Sequence, residues 1–447
     1  MKLAESVDIK AFIDARKMSA YQWLVLVLCF LIVMMDGLDT AVMGFVAPVI
    51  MHDWSVSRAA FGPVMSAAMV GLALGALVAG PAADRVGRKK VLIGSVFCFG
   101  LFSLMCAFSG SPTELMVLRF LTGLGLGAAM PNSTTLLSEY VPSRSRSLLL
   151  TIMFTGFNFG SGGGGFVAAA LIPHFGWRAV FMVGGILPLL SVPLLLWLLP
   201  ESARLMLVRK VAAARIAATL GRVCGHAFDR DARFTAPEPA VSAKTPVRML
   251  FADGYAFSTL MLWLTYFMGL LIIYLLTGWL PTLIKDAGLP VERAAAITGM
   301  FQLGGTVGAI VVGFAMDRMD RNGVIGAAYL LGGVFIFALG MGTLKSSLLP
   351  ILVTCAGFFM SGAQTGLNAL APTCYPTRAR ATGVSWMLGF GRLGGILGSL
   401  VGGALLSLGF SFSTVFSVLA VPAIIAAVAI VMNRLALRFI TSPMADA

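Results

Sequence analysis

Twelve runs of mostly apolar residues, each long enough to cross a bilayer, constrain this chain to a membrane fold. A spanning helix needs about 20 such residues. The runs lie roughly at 22–50, 60–82, 91–110, 114–137, 148–172, 178–199, 256–281, 294–316, 324–343, 347–371, 382–408 and 411–433. Of the 447 residues, 58% are hydrophobic and 11% are charged, a balance that a soluble fold of this length does not tolerate. The 51 glycines suit tight helix–helix packing in lipid.

A net charge of +13 raises the question of nucleic acid, and the placement of the charges answers it. With the N-terminus inside, 25 of the 32 Lys and Arg residues fall in inner segments. Five fall in outer loops (Arg58, Arg178, Lys285, Arg293, Lys345), and Arg119 and Arg392 lie within spans. This is the positive-inside asymmetry, and it puts both termini in the cytoplasm. The basic balance therefore reports topology, and no nucleic-acid partner is expected. The six cysteines and three histidines show no metal-ligand spacing and no disulfide framework. No cofactor is expected. No nucleophile–base pair appears either, so an enzyme is disfavoured. The first run is too long for a removable signal peptide and lacks a cleavage site.

The runs divide the chain into a tail at 1–21, six spans over 22–199, a long loop at 200–255, six spans over 256–433 and a tail at 434–447. The long loop is expected to hold a surface helix near 202–220 and then a flexible linker with Pro237, Pro239 and Pro246. The halves echo each other. Gly80, Asp84, Arg85 and Arg88 follow span 2, and Gly313, Asp317, Arg318 and Arg321 recur 233 residues later, after span 8. Tyr140, Arg144 and Arg146 follow span 4, as Tyr375, Arg378 and Arg380 follow span 10. Two matches at equivalent places argue for duplication. Parallel six-helix repeats with a substrate site between them are a transporter design.

Span 1 carries Asp36 and Asp39 near its middle. A carboxylate at hydrocarbon depth costs at least about 2.5–3.5 kcal/mol, so such acids face a cavity or a partner and are functional by default. Three residues apart, the two fall on one helix face. Close carboxylates resist carrying two charges at once, which suits a group that moves a proton or senses a substrate. The alternative is a pair neutralised by Arg119 and needed for assembly. Arg119 keeps its charge; it serves either as partner to the acids or substrate anion, or as a cap on backbone carbonyls. Arg392 has no acid in its own helix, and a permeating carboxylate would supply one, matched bidentately by guanidinium. Structural pairing with the other half is its alternative. Asn158, Tyr266, Tyr274, Gln302, Gln364, Asn368 and Trp386 lie at mid-span depth and form a set that suits an aromatic acid. Each taken alone also fits an ordinary interhelical contact. The run 156–165, GFNFGSGGGG, has no preceding strand and no Lys-Ser/Thr, so it reads as a packing surface rather than a phosphate loop.

The segment Gly80 to Arg88 resembles the signature loop of the major facilitator superfamily. Arg119-Phe-Leu-Thr-Gly123-Leu-Gly125-Leu-Gly127 resembles its fourth-helix pattern, and Pro200-Glu201-Ser202 its sixth-helix ending. Four further stretches resemble the aromatic acid:proton symporters within it. They are Asp36-Gly37-Leu38-Asp39-Thr40, the run from Met130 to Glu139, the run from Leu262 to Gly269, and the run from Ala381 to Gly389. The nearest likeness is to bacterial transporters of 4-hydroxybenzoate and protocatechuate.

The resemblance implies an all-α fold of 12 transmembrane helices in two pseudo-symmetric six-helix bundles. It implies a monomer in a bacterial inner membrane that imports a small aromatic acid with protons. Asp36 and Asp39 become the proton-coupling acids. Arg119, Asn158, Tyr266, Gln302, Gln364, Asn368, Trp386 and Arg392 become the substrate contacts. Gly80, Asp84, Arg85, Arg88, Asp317, Arg318 and Arg321 become a latch in which the Asp caps a neighbouring helix in the outward-open state. Glu139 with Arg144, and Arg378 with Arg380, are either matching clamps or plain topology charges. Other organic anions, and a transporter-like receptor for an aromatic acid, stay open as alternatives.

Overall fold

Side-chain caps begin several helices where the apolar runs begin. Ser19 accepts from the Gln22 amide while the Gln22 side chain returns to Ser19, a reciprocal capping box at the head of α2 (Ala20–Asp53). Ser57 caps α3 (Arg58–Val86), and Ser111 caps α5 (Pro112–Tyr140), which has proline in its first turn. Asp320 caps α11 (Arg321–Gly340), accepting from the Gly323 amide at 2.6 Å. The other long helices are α4 (Arg88–Cys106), α6 (Arg146–Leu198), α9 (Tyr255–Asp286), α10 (Val291–Arg318), α12 (Leu348–Leu370), α13 (Arg380–Ser407) and α14 (Phe412–Thr441). The structure, a computed structural model, describes residues 6–226, 228, 232–235, 247–252, 254–341, 348–375 and 380–441. The proline-containing linker, Lys345 and Arg378 lie outside the described residues.

Eleven helices among the described residues are long and apolar enough to span a bilayer. Twelve spans were expected, and the difference lies in α6. Its 53 residues would reach about 80 Å if straight, more than twice a hydrocarbon core. Gly176 breaks it with φ 73° and ψ 178°, a conformation that glycine adopts without a Cβ clash. The two arms, 146–175 and 177–198, are the fifth and sixth passes. The fold is thus the all-α twelve-pass bundle expected.

Within the first half α2 packs on α6, α3 on α5, and α4 on both α5 and α6. Within the second, α10 packs on α12, α9 on α13 and α14, and α11 on α12 and α14. The GFNFGSGGGG run lies in the first arm of α6 and brings it backbone-to-backbone with α2. A Cβ at Gly160 would fall 1.7 Å from the Met34 carbonyl oxygen, and one at Gly37 2.0 Å from that of Phe157. Asp36 and Asp39 therefore sit on a helix held without slack.

The halves meet through α3 with α13, α6 with α10, and α2 with α9. Twelve passes return the chain to its starting face, called here the terminal face. Near mid-span Arg392 Nη1 donates to the Leu72 carbonyl at 3.2 Å. At the face opposite the termini, Arg58 pairs with Asp286 at 2.6 Å and Lys285 Nζ donates to the Pro48 carbonyl at 2.9 Å.

The terminal face carries a small assembly that periodicity does not reveal. Two three-residue strands, β1 (Ser6–Asp8) and β2 (Arg233–Thr235), pair in parallel, joining the N-terminal tail to the central loop. Asp8 caps α1 (Ile9–Asp14), whose Ile9 and Ile13 share an apolar cluster with Leu220, Val223 and Phe234. The surface helix expected near 202–220 is two helices, α7 (Ala203–Val208) and α8 (Ala213–Cys224), parted by a turn with Lys210 at φ 54°.

Candidate functional site

The two acids of α2 are both buried, and their surroundings differ. Asp39 points into its own half. Its Oδ2 lies 3.0 Å from Arg119 Nη2, and its Oδ1 accepts from Arg119 Nη1 at 3.2 Å and from the Ser103 hydroxyl at 2.5 Å. Arg119 Nη2 also donates to the Asp39 carbonyl at 3.1 Å. Neither side chain of the pair is exposed. The Phe181 ring from the second arm of α6 lies 5.8 Å from the guanidinium carbon, within cation–π range. Four elements, α2, α4, α5 and α6, thus close on one neutral pair. Arg119, expected against the acids or the substrate anion, spends both Nη atoms on Asp39 inside the first half and leaves its buried Nε without a hydrogen-bond partner. The reason is physical: a guanidinium this deep needs an anion permanently in contact.

Asp36 lies one turn earlier and has no such contact. Its Oδ1 accepts from Thr40 Oγ1 at 3.3 Å, and Asp39, Arg392 and Tyr274 lie within electrostatic range. Arg392 belongs to the other half, so Asp36 looks across the interface while Asp39 looks away from it. Spacing alone put both acids on one face; the 60° between them on the helical wheel is enough to divide their roles.

Around Asp36 and Arg392 the second half supplies hydroxyl and amide groups. Tyr266 is buried beside the side chains of Gln364 and Asn368 and within electrostatic range of Arg392. Gln364 Oε1 accepts from Tyr329 at 2.7 Å, while its buried Nε2 has no hydrogen-bond partner. Gln302 Nε2 donates to Thr277 Oγ1 at 3.0 Å, linking α10 to α9. Asn158 is half-buried and Asn368 exposed. Trp386 stands apart from this group. It is stacked on Trp263 at 6.0 Å in an aromatic cluster with Phe390, and is 48% exposed. Ser103 was missed from sequence, where a serine amid the apolar residues of α4 was the available signal, and Thr40 stood in the first-helix motif without a role of its own.

Residues 29–343 and 262–439 match the family model of the Major Facilitator Superfamily. The chain belongs to that superfamily. It is 62% identical over 427 residues to a gallate transporter of Pseudomonas putida, covering 96% of this chain and 95% of that one. It is 52% identical over 432 residues to the 4-hydroxybenzoate transporter PcaK of Pseudomonas aeruginosa, covering 96% of each. Among solved structures, a D-xylose-proton symporter superposes with a TM-score of 0.71 at 18% identity, over 92% of this chain and 97% of that one. The superfamily's fold is the one described above, and the chain is a multi-pass membrane transporter rather than an enzyme.

The superfamily's signature loop sits at the terminal face. Arg88 pairs with Glu139, and the Ser202 hydroxyl donates to the other Glu139 oxygen at 2.5 Å. Glu201 covers the N-terminus of α4, accepting from the Lys89 amide at 3.1 Å, and Tyr140 donates to the Glu201 carbonyl. The helix cap expected of Asp84 thus falls to Glu201 in this structure. Asp84 is exposed and contributes its carbonyl to Arg209 at 2.6 Å. Gly80, Arg85, Asp317, Arg318 and Arg321 are also exposed, with Arg318 lying over the Phe314 ring at 3.9 Å. Arg144 does not meet Glu139; it donates to the Arg16 carbonyl at 2.8 Å. Glu139 finds Arg88 because α4 packs directly on α5.

Proposed function

We propose that this transporter imports hydroxylated benzoates together with protons across a bacterial inner membrane, with gallate ahead of 4-hydroxybenzoate and protocatechuate. The observation that carries the proton half of this reading is the unequal pairing of Asp36 and Asp39. Asp39 is already paired with the Arg119 guanidinium. Asp36 is buried at the half–half interface with a hydroxyl and a distant guanidinium for company. A lone carboxylate there is stabilised by binding a proton, or by a cation brought close. The ligand half rests on relatives named for gallate and 4-hydroxybenzoate transport.

In this reading residues 22–199 and 256–433 rock about a midplane site, with both termini cytoplasmic. The face opposite the termini is then the outer one. Pinning through Arg58–Asp286 and Lys285–Pro48, with Gly80, Asp84, Arg85, Asp317, Arg318 and Arg321 exposed at the terminal face, supports reading this as an inward-facing state. In the outward state Asp36 takes up a proton, and Arg392 is released to receive the substrate carboxylate bidentately. In the present state Arg392 rests on the Leu72 carbonyl. Gln364, with an unspent amide donor, and Tyr266 receive the ring hydroxyls. An unmade hydrogen bond at such buried groups costs about 1–3 kcal/mol, which favours hydroxylated rings over bare benzoate. One proton per monoanion makes transport electroneutral. Each further proton adds about 2.3 kcal/mol per 100 mV of membrane potential.

The test is uptake of radiolabelled gallate, 4-hydroxybenzoate, protocatechuate and benzoate into proteoliposomes with an imposed pH gradient. Accumulation of gallate and 4-hydroxybenzoate above equilibrium, collapsed by a protonophore, is expected. Binding without accumulation would instead mark a receptor.

A further inference from the structure

We infer that the outer face holds a second carboxylate site, an entry cleft whose occupant undoes the contacts that keep this face shut. The inference rests on the aromatic-acid uptake proposed above and adds a site to it. A cleft of about 490 Å³ lies between the halves, lined by Pro48, Met51, His52, Ser57 and Arg58 on one side and by Thr282, Lys285, Asp286 and Leu406 on the other. Outer loops contain five Lys and Arg residues in the whole sequence, and two of them, Arg58 and Lys285, line this one cleft. His52 adds a third nitrogen-bearing side chain. The neighbouring acid Asp53 divides its oxygens, Oδ1 lying 3.6 Å from His52 Nδ1 and Oδ2 accepting from Trp177 Nε1 at 3.1 Å, so Arg58 and Lys285 carry the attraction for an anion.

Both cations hold the opposite half. Arg58 opens α3 and reaches Asp286 at the end of α9 at 2.6 Å, with both side chains more than a third exposed. Lys285, the preceding residue of α9, reaches back to the Pro48 carbonyl of α2 at 2.9 Å. The turn that delivers Arg58 is short, with Ser55 at φ 52°, and the guanidinium crosses the cleft to Asp286. A carboxylate entering between them offers Arg58 the group that Asp286 now supplies and offers Lys285 a full anion in place of a carbonyl. Charge-assisted bonds to an anion are the stronger kind, so occupancy favours release of the Lys285 contact outright and competes with Asp286 for Arg58. A ligand shifts a conformational equilibrium only by its difference in affinity for the two states; here that difference is the exchange of partners at Arg58 and Lys285. The size of the cleft admits a single aromatic ring, and its charge selects the anion.

The experiment is initial-rate uptake of radiolabelled gallate and 4-hydroxybenzoate by wild type, Arg58→Gln, Lys285→Gln and the control Arg293→Gln, an exposed outer cation outside the cleft, at low and high salt. Wild-type uptake of either acid is the prior condition; if wild type takes up neither, the aromatic-acid reading itself fails. Given uptake, the two cleft variants should raise KM about three- to tenfold, as loss of electrostatic capture does. Their maximal rate should stay within about twofold and the salt dependence seen in wild type should shrink. Arg293→Gln should match wild type. Unchanged KM and salt dependence in both cleft variants overturns the site. So does a fall in maximal rate with KM unchanged, which marks a purely mechanical clasp.

Discussion

Asp39 and Arg119 form a fully buried ion pair, 3.0 Å between Oδ2 and Nη2, that spends both charges inside the first half and leaves Asp36 as the unneutralised acid at the interface. The pair must therefore behave as structure. Removing one member strands the other charge in the protein interior, at about 3–5 kcal/mol. Asp39→Asn is expected to lower the thermal midpoint of the purified protein sharply. The double variant Asp39→Asn, Arg119→Gln should recover much of the loss. Melting followed by size-exclusion in detergent checks this, and a single variant as stable as wild type would contradict it.

Arg392 reaches the Leu72 carbonyl across the interface, and the function proposed above assigns it the substrate anion. Lysine at this position keeps the charge and loses the planar fork. Arg392→Lys should raise KM for 4-hydroxybenzoate about tenfold, equivalent to one charge-assisted hydrogen bond of about 1.5 kcal/mol. Uptake kinetics at fixed pH give the answer.

Gln364 has a buried amide donor without a partner beside Tyr266. Gln364→Leu should weaken uptake of gallate and 4-hydroxybenzoate by about tenfold while leaving any benzoate uptake unchanged. Equal losses for all three acids would remove Gln364 from ring-hydroxyl recognition. The comparison needs one competition assay with three ligands.

Asp14 ties the N-terminal tail to the loop after α5, accepting from the Ser143 amide at 2.6 Å and its hydroxyl at 2.8 Å. Burial alone would raise this carboxyl, but the Ser143 bonds outweigh it and hold it below the ordinary aspartate range. A carboxylate whose proton affinity is lowered by folding stabilises the folded form above its unfolded pKa of about 3.9. That contribution is lost as pH falls through the lower, folded value. Tail docking should therefore hold at neutral pH and loosen under acid, and Asp14→Asn should loosen it at all pH values. Hydrogen exchange of residues 6–14 measures both.

The passes themselves were legible because apolar run length and caps are local. The break in α6 was legible too, since Gly176 falls in the gap between the runs ending at 172 and beginning at 178; that one continuous helical stretch would carry both passes was not, since a continuous helix and two abutting ones share the same periodicity. The presence of Asp36, Asp39, Arg119 and Arg392 at membrane depth was legible as well. Arg119 as a partner to the acids was one of the readings the sequence offered; which acid it takes was not legible. Asp39 and Arg119 lie 80 residues apart, and their meeting follows from how α2 and α5 pack. The same holds for Glu139, which meets Arg88 of α4 rather than nearby Arg144. Strands β1 and β2 are three residues each, too short for a period-2 pattern to register. Arg58, Lys285 and Asp286 read as ordinary loop charges until the halves bring them together.

Proteoliposomes bearing Asp36→Asn, driven by a pH gradient alone and compared with Asp36→Asn under substrate counterflow, test the division of labour in α2 most directly. With the titrating group gone and the Asp39–Arg119 pair intact, gallate and 4-hydroxybenzoate should exchange across the membrane yet fail to accumulate above equilibrium. Accumulation equal to wild type in the Asp36→Asn protein would contradict the assignment of the proton to Asp36.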